Sequence, residues 1–361
     1  MGQETDFDRL RLIRSPNIGP VTYRQLIARF GSAGAALQAL PDLVRRGGGT
    51  RFVAAPEAMI AQEMARTANW GARYVFLDDV AYPPLLAELD NAPVAMTVVG
   101  DIDLWTKPAV AIVGARNASA AGCRFARQIA QQLVNMGIVV VSGLARGIDA
   151  AAHQGALNGG TVGVIAGGID NVYPPEHGDL QAAVAEKGLL VAEMPPGTEP
   201  RARHFPHRNR IIAGLSLGTL VVEAVPKSGS LITARLAGEA GREVMAIPGS
   251  PLDPRSRGCN QLIREGAVLV QDAADIAELI QPIDARNRPV AKAAQMTLPI
   301  VEAGDSERHA VTDLLGMSYV AVDEIVRQSN MPPAQVQMVL LELELAGKLE
   351  RGAGARVRLM N

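Results

Sequence analysis

Five glycine-containing stretches, each where an apolar run gives way to a helical pattern, hold the residues best suited to chemistry. The first is VGARNASAAG (113–122). Gly114 permits a tight turn, Arg116 can grip a phosphate through two parallel hydrogen bonds, and the following helix offers free N–H groups to an anion. The second, VSGLARGIDAAAHQGAL (141–157), ends a strand on Ser142 and Gly143 and opens a helix after Arg146 and Gly147. Asp149 and His153, four residues apart, share a helical face there. They predict a buried hydrogen-bonded pair that holds the loop; a metal pair would need a third ligand, and none is evident. The third stretch, VIAGGIDNVYPPEH (164–177), sets the bare backbone of Gly167 and Gly168 at a strand end. In the fourth, PPGTEPRARHFPHRNRIIAGLS (195–216), Arg201, Arg203, Arg208 and Arg210 surround Phe205, with Asn209 among them. Dense cations around one aromatic ring suit a nucleic-acid backbone with a base stacked beside it. The fifth, EAVPKSGSLITARLAGEAG (223–241), brings Lys227, Ser228, Gly229 and Ser230 to a helix N-terminus.

So many phosphate-competent loops on one sheet edge exceed the needs of a mononucleotide and fit a polyanion lying along a crevice. The first loop lacks the second glycine of GxGxxG, and no ribose-binding acid follows at the usual place, so a dinucleotide is disfavoured. The fifth lacks the GxxxxGK[ST] order, and no acidic strand supplies a magnesium ligand, so ATP hydrolysis is disfavoured. No nucleophile sits beside a base. The expectation is a binding protein with no catalytic residues, no metal and no cofactor.

Positioning these loops requires a parallel sheet. Apolar runs at Arg73–Leu77, Ala109–Val113, Ile138–Val141, Thr161–Ala166, Leu189–Glu193, Thr219–Glu223, Glu243–Ile247 and Val268–Val270 alternate with helical segments. That pattern predicts strands covered on both faces, in an extended Rossmann-like, doubly wound α/β domain over residues 71–281. Residues 1–70 read as helical. Their segment SPNIGPVTYRQLIARFGS, a helix, a tight turn and a second helix, is similar to a helix-hairpin-helix unit, though with few basic residues. Residues 282–305 read as a linker. Residues 306–361 read as three helices and a Gly-turned hairpin, a winged helix. Glu342 and Glu344 fall on its recognition helix, and only Arg351, Arg356 and Arg358 favour DNA there, so little DNA affinity is expected of this domain.

The chain of 361 residues has a formal net charge of −2, so any nucleic-acid footprint must be local. Its two cysteines, Cys123 and Cys259, lack metal or redox spacing and read as thiols of a reducing compartment. The N-terminus has no apolar signal core, and no run is long enough to span a membrane, so the expected location is cytoplasmic.

Together, AIVGAR, SGLARGIDAAAH, GGIDNVYP, FPHRNRIIAG, VVEAVPKSGSLITARLAGEAGREVMAIPG and GCNQLIREGA resemble the DNA-processing protein A (DprA, or Smf) family. The resemblance covers residues 75–275 in detail and the flanks in outline. It implies a sterile-α-motif-like or helix-hairpin-helix N-terminal domain, the Rossmann core and a winged helix. It further implies sequence-independent binding of single-stranded DNA, its protection, loading of the RecA recombinase during natural transformation, and a homodimer through the Rossmann domain. By that resemblance Gly114 and Arg116 form the phosphate motif and Ser142, Gly143, Arg146 and Gly147 a second pocket wall. Phe205, Arg208, Asn209 and Arg210 form a loop beside the DNA, and Lys227–Ser230 the last contact. Leu262, Ile263 and Val268 become candidates for the dimer interface, or else ordinary core. The YPPEH turn departs from the family's usual YPxxN, which sets Glu176 and His177 at the ligand edge. A rival is the related phosphoribohydrolase fold, whose PGGxGTxxE motif is only partly met by LSLGTLVVE at 215–223.

Overall fold

The computed structural model describes residues 5–280, 303–352 and 354–360, so the expected linker at 282–305 falls almost wholly outside the described residues. Two compact units emerge: Glu63–Asn287, and Met1–Gln62 together with Arg288–Asn361.

The N-terminal part comprises α1 (Asp6–Ile13), α2 (Pro20–Phe30), α3 (Ala33–Arg46) and the start of α4 (Glu57–Asn69). Ser32 caps α3 by accepting from the Ala35 N–H, and Pro20 opens α2, where its missing N–H costs nothing. The turn between α1 and α2 holds Asn17 at φ 61°.

The larger unit then runs β1 (Arg73–Phe76), α5 (Pro84–Ala87), β2 (Ala95–Gly100), β3 (Ala109–Val113), α6 (Ala120–Asn135), β4 (Val139–Ser142), α7 (Ile148–Ala156) and β5 (Thr161–Gly168). It continues through α8 (Gly178–Lys187), β6 (Leu189–Met194), α9 (His204–Gly214), β7 (Gly218–Val221), α10 (Gly229–Glu239), β8 (Glu243–Ala246), α11 (Arg257–Arg264), β9 (Val268–Leu269) and α12 (Ala273–Ile280). Nine strands form one sheet in the order β1-β2-β6-β5-β4-β3-β7-β8-β9. From β6 to β9 the pairing is parallel. The alternation of β3 sends Ala109, Ala111 and Val113 into one apolar layer and Val110 and Ile112 into the other, which is why the run reads as continuously hydrophobic.

Two expectations need correction. Strand β2 was not among the predicted runs, and β1–β2 and β2–β6 pair antiparallel rather than parallel. Short strands linked without a crossover helix pair antiparallel by default, and the 77–94 connection contains only the four-residue α5.

The chain ends in α13 (Asp305–Asp313), β10 (Val320–Ala321), α14 (Val322–Ser329), α15 (Pro333–Leu345), β11 (Leu349–Gly352) and β12 (Arg356–Leu359), with strand order β10-β12-β11. This is a winged helix around Val311, Val322, Ile325, Val339, Leu340 and Val357. No helix among the described residues is long and apolar enough to cross a membrane.

Candidate nucleic-acid interface

A small open cleft of about 50 Å³ lies above the C-terminal ends of β4 and β5. Arg116, Gly143, Ala145, Arg146, Ile165, Gly167, Asn171, Tyr173, Phe205 and Arg208 line it, so four of the five expected loops converge there. The Arg116 guanidinium lies over the Phe205 ring at 5.0 Å, and the Tyr173 ring sits 5.6 Å from Phe205. Two aromatic faces and a stacked guanidinium make a platform for a flat, anionic ligand.

Each glycine of the rim has a packing reason. A Cβ at Gly143 would overlap the guanidinium of Arg208. Gly147 has φ +75°, and a Cβ there would meet the Arg116 carbonyl at 2.8 Å; at Gly167 it would meet the Thr198 carbonyl at 2.8 Å. The loops therefore lie one on another, backbone to backbone. Gly168 is spent in the same way, its N–H donating to Thr198 O at 2.9 Å.

Asp149 and His153 hold loop two from beneath, but each bonds the loop or the sheet rather than the other. Asp149 accepts from the Gly143 N–H (3.2 Å), His153 Nε2 from the Leu144 N–H (3.3 Å), and His153 Nδ1 contacts Thr161 Oγ1 at 2.8 Å. Burial pushes the His153 pKa down to about 3, with the charge of Arg208 adding to the effect. Burial also raises Asp149, although Arg208 pulls the other way. Arg208 itself is lowered to about 10, by burial first and by repulsion from Arg116, against the attraction of Asp149. Its Nε is buried with no hydrogen-bond partner among the described residues. Two mutually repelling cations and an unused donor at one cleft favour an anion.

Several expected contacts have internal partners instead. Ser142 is fully buried and donates to Ile112 O at 2.6 Å, so its hydroxyl faces the sheet. Gly114 abuts Ile148 and the Glu223 carbonyl, 2.6 and 3.0 Å from a Cβ built there. The N-terminus of α6, expected to be open to an anion, already holds one. Glu223 accepts from Ser119 N (2.8 Å) and Ser119 Oγ (2.5 Å). This carboxylate fills the crevice between β3 and β7, the switch point where a doubly wound sheet takes a pyrophosphate.

The arginine-rich stretch is a helix, α9, rather than a loop: Pro206 sits in its first turn, where proline is tolerated. Residues two apart on a helix point to opposite sides. Arg208 thus faces the cleft, while Arg210 is buried in an ion pair with Glu193 at 2.5 Å. Arg201 and Arg203 are exposed on the turn before α9. Asn209 Nδ2 reaches Gly229 O at 3.4 Å and ties α9 to the fifth loop.

The fifth loop does not line the cleft. Lys227 is exposed at φ 67°, Ser228 and Ser230 bond each other at 2.7 Å, and α10 starts at Gly229 without a side-chain cap. Arg146 is exposed but paired with Glu176, which raises its pKa and lowers that of Glu176. His177 Nδ1 contacts Leu144 O at 2.9 Å. Leu262 and Ile263 on α11 and Val268 on β9 are half-buried against the core, and Leu269 is exposed on the edge strand.

Sequence reasoning missed Asn171, Tyr173 and Ala145. The aromatic next to Pro174 was the available signal, overlooked because its ring partner Phe205 lies 32 positions further on. Among the described residues no three metal-ligating side chains gather.

The family model for DNA recombination-mediator protein A matches residues 73–281. The chain belongs to the DprA family. A DprA-like N-terminal HHH domain matches residues 3–65 and a DprA winged helix domain 292–355. Protein Smf of Escherichia coli is 36% identical over 321 residues, covering 86% of this chain and 83% of that protein. The crystal structure of DprA from Streptococcus pneumoniae superposes with a TM-score of 0.63 at 33% identity, covering 78% of this chain and all of that one. DprA from Helicobacter pylori, whose structure is described as showing a single-stranded DNA binding mode, gives 0.53 at 28% identity over 57% of this chain and 94% of its own.

Proposed function

We propose that this protein binds single-stranded DNA without sequence preference, with the β4–β5 cleft as the principal seat. The observation that carries the reading is the Arg116 guanidinium over Phe205, with Tyr173 and Arg208 alongside. An unpaired base stacks on such a platform, whereas the bases of a duplex are already stacked. The H. pylori relative supports the choice of ligand. Arg116, Arg146, Arg201, Arg203, Phe205, Arg208 and the Lys227–Ser230 loop supply contacts. Gly114, Ser142, Gly143, Gly147, Gly167, Gly168, Asn209 and Arg210 hold the loops in place.

On this reading the protein carries out no chemical reaction. It protects incoming strands in the cytoplasm and passes them to RecA during transformation or recombination. It acts as a homodimer through α11 and the open edge of β9, where Leu269 joins Leu262, Ile263 and Val268.

Fluorescence anisotropy with single-stranded and duplex oligonucleotides tests the central claim. Phe205→Ala should weaken single-strand binding roughly 5- to 150-fold, the range set by losing one stacked base at ~1–3 kcal/mol. Unaltered affinity would overturn the site. Sedimentation of Leu269→Glu tests the dimer, and RecA filament assembly on the bound strand tests the hand-over. Release of free base from AMP would favour the phosphoribohydrolase rival.

A further inference from the structure

In the smaller unit, α15 is the recognition helix of the winged domain. Such a helix enters a DNA major groove with a solvent-facing polar or basic surface. Here both faces are buried. Val336, Val339, Leu340 and Leu343 form one stripe and fill the winged-helix core. Met338, Leu341 and Leu345, at i, i+3 and i+7 on the opposite side, are 6%, 2% and 2% exposed without belonging to that core.

The cover comes from the other end of the chain. Asn17, in the turn between α1 and α2, donates from Nδ2 to Leu345 O at 3.2 Å, capping a C-terminal carbonyl of α15. Gln25 on α2 meets Gln337 Oε1 at 3.3 Å. Past the end of α3, Gly47 lies so close to the Glu342 carbonyl that a Cβ would collide with it, and a Cβ at Gly49 would stand 3.4 Å from that of Ala346. The same turn at Asn17 is the one a helix-hairpin-helix would aim at a phosphate. Thus both DNA-reading elements of the unit face each other.

Charge agrees with geometry. Residues 333–345 contain no Lys or Arg and two Glu. Arg308 pairs with Glu342 (2.8 Å), Arg351 with Glu344 (2.8 Å) and Arg358 with Glu350 (2.5 Å), so these cations are already matched. Glu342, expected on an exposed face, is buried at 1% exposure.

We propose that the winged helix is a clasp for the chain's own N-terminal hairpin domain, and not a reader of DNA. Its recognition helix is a helix-binding surface.

The test uses the full chain with a specific protease site inserted after Val290. After cleavage, the C-terminal piece should co-elute with the remainder on size exclusion. Leu341→Asp should release it, because Leu341 lies outside the winged-helix core. Gly47→Leu should also release it, and leaves the winged helix itself untouched. Separation of the wild-type piece on cleavage would overturn the clasp. Duplex affinity of uncut Leu341→Asp should stay within about twofold of wild type, because α15 carries no Lys or Arg. A gain of about tenfold or more would show a masked DNA reader and overturn the assignment.

Discussion

Replacing Gly143 with alanine tests the cleft at its tightest point. The new methyl would overlap Nη1 and Cζ of the Arg208 guanidinium and stand 2.7 Å from its Nη2. Arg208 is buried, so its head cannot swing freely into water. Overfilling a packed site costs about 1–3 kcal/mol. Moving the cation away from Asp149, a buried carboxyl already raised by desolvation, places the cost in the upper half of that range. For a unit of this size about 2 kcal/mol corresponds to roughly 4–8 °C of melting temperature. The displaced guanidinium also leaves the cleft. Losing one charge-assisted phosphate contact weakens single-strand binding by a further ~1–3 kcal/mol, or roughly 5- to 150-fold. Gly229→Ala is the matched control: nothing lies within 4 Å of its Cβ and it opens α10. It should melt no lower than wild type, since alanine restricts the unfolded chain. Calorimetry and anisotropy on both variants decide the matter. A Gly143→Ala protein that melts like the Gly229→Ala control and binds like wild type would refute the packing argument.

Three further outcomes are expected. His153 has a folded pKa near 3 against an ordinary 6.5, so only the unfolded chain takes up its proton between those values. Its contribution is complete above pH 6.5 and is lost as pH falls toward 3, at up to about 1.4 kcal/mol per pH unit. Asp149, shifted upward, acts in the opposite sense, so the difference between wild type and His153→Gln in urea titrations isolates the histidine; a difference independent of pH would contradict the shift. Glu176→Gln frees Arg146 from its partner. Single-strand affinity should rise about twofold to fivefold at low salt, and the log–log salt slope should steepen by about one unit; an unchanged slope would mean that Arg146 meets no phosphate. Glu223→Ala removes the carboxylate that Ser119 and the α6 N-terminus share. Urea unfolding should show a loss of about 1–3 kcal/mol, and wild-type stability would show the plug to be idle.

The alternation of apolar runs and helices determined the layered α/β sheet, because a strand buried on both faces must be apolar throughout. The glycine-rich strand ends determined where a cleft could form, and the i, i+4 spacing of Asp149 and His153 determined one buried helix face, because local geometry alone aligns such residues. The hairpin and winged-helix patterns at the two ends were legible for the same reason. What each loop residue does was a tertiary decision. Arg208 and Arg210 are alike in type and two positions apart, and only the packing of α9 turns one to the cleft and the other to Glu193. Glu223 and Ser119 lie 104 positions apart, so no local pattern could show that a carboxylate already occupies the α6 N-terminus. The docking of α15 on helices from the opposite end of the chain is of the same kind. A helical run reveals that it is apolar, but which partner covers each face depends on contacts hundreds of residues away.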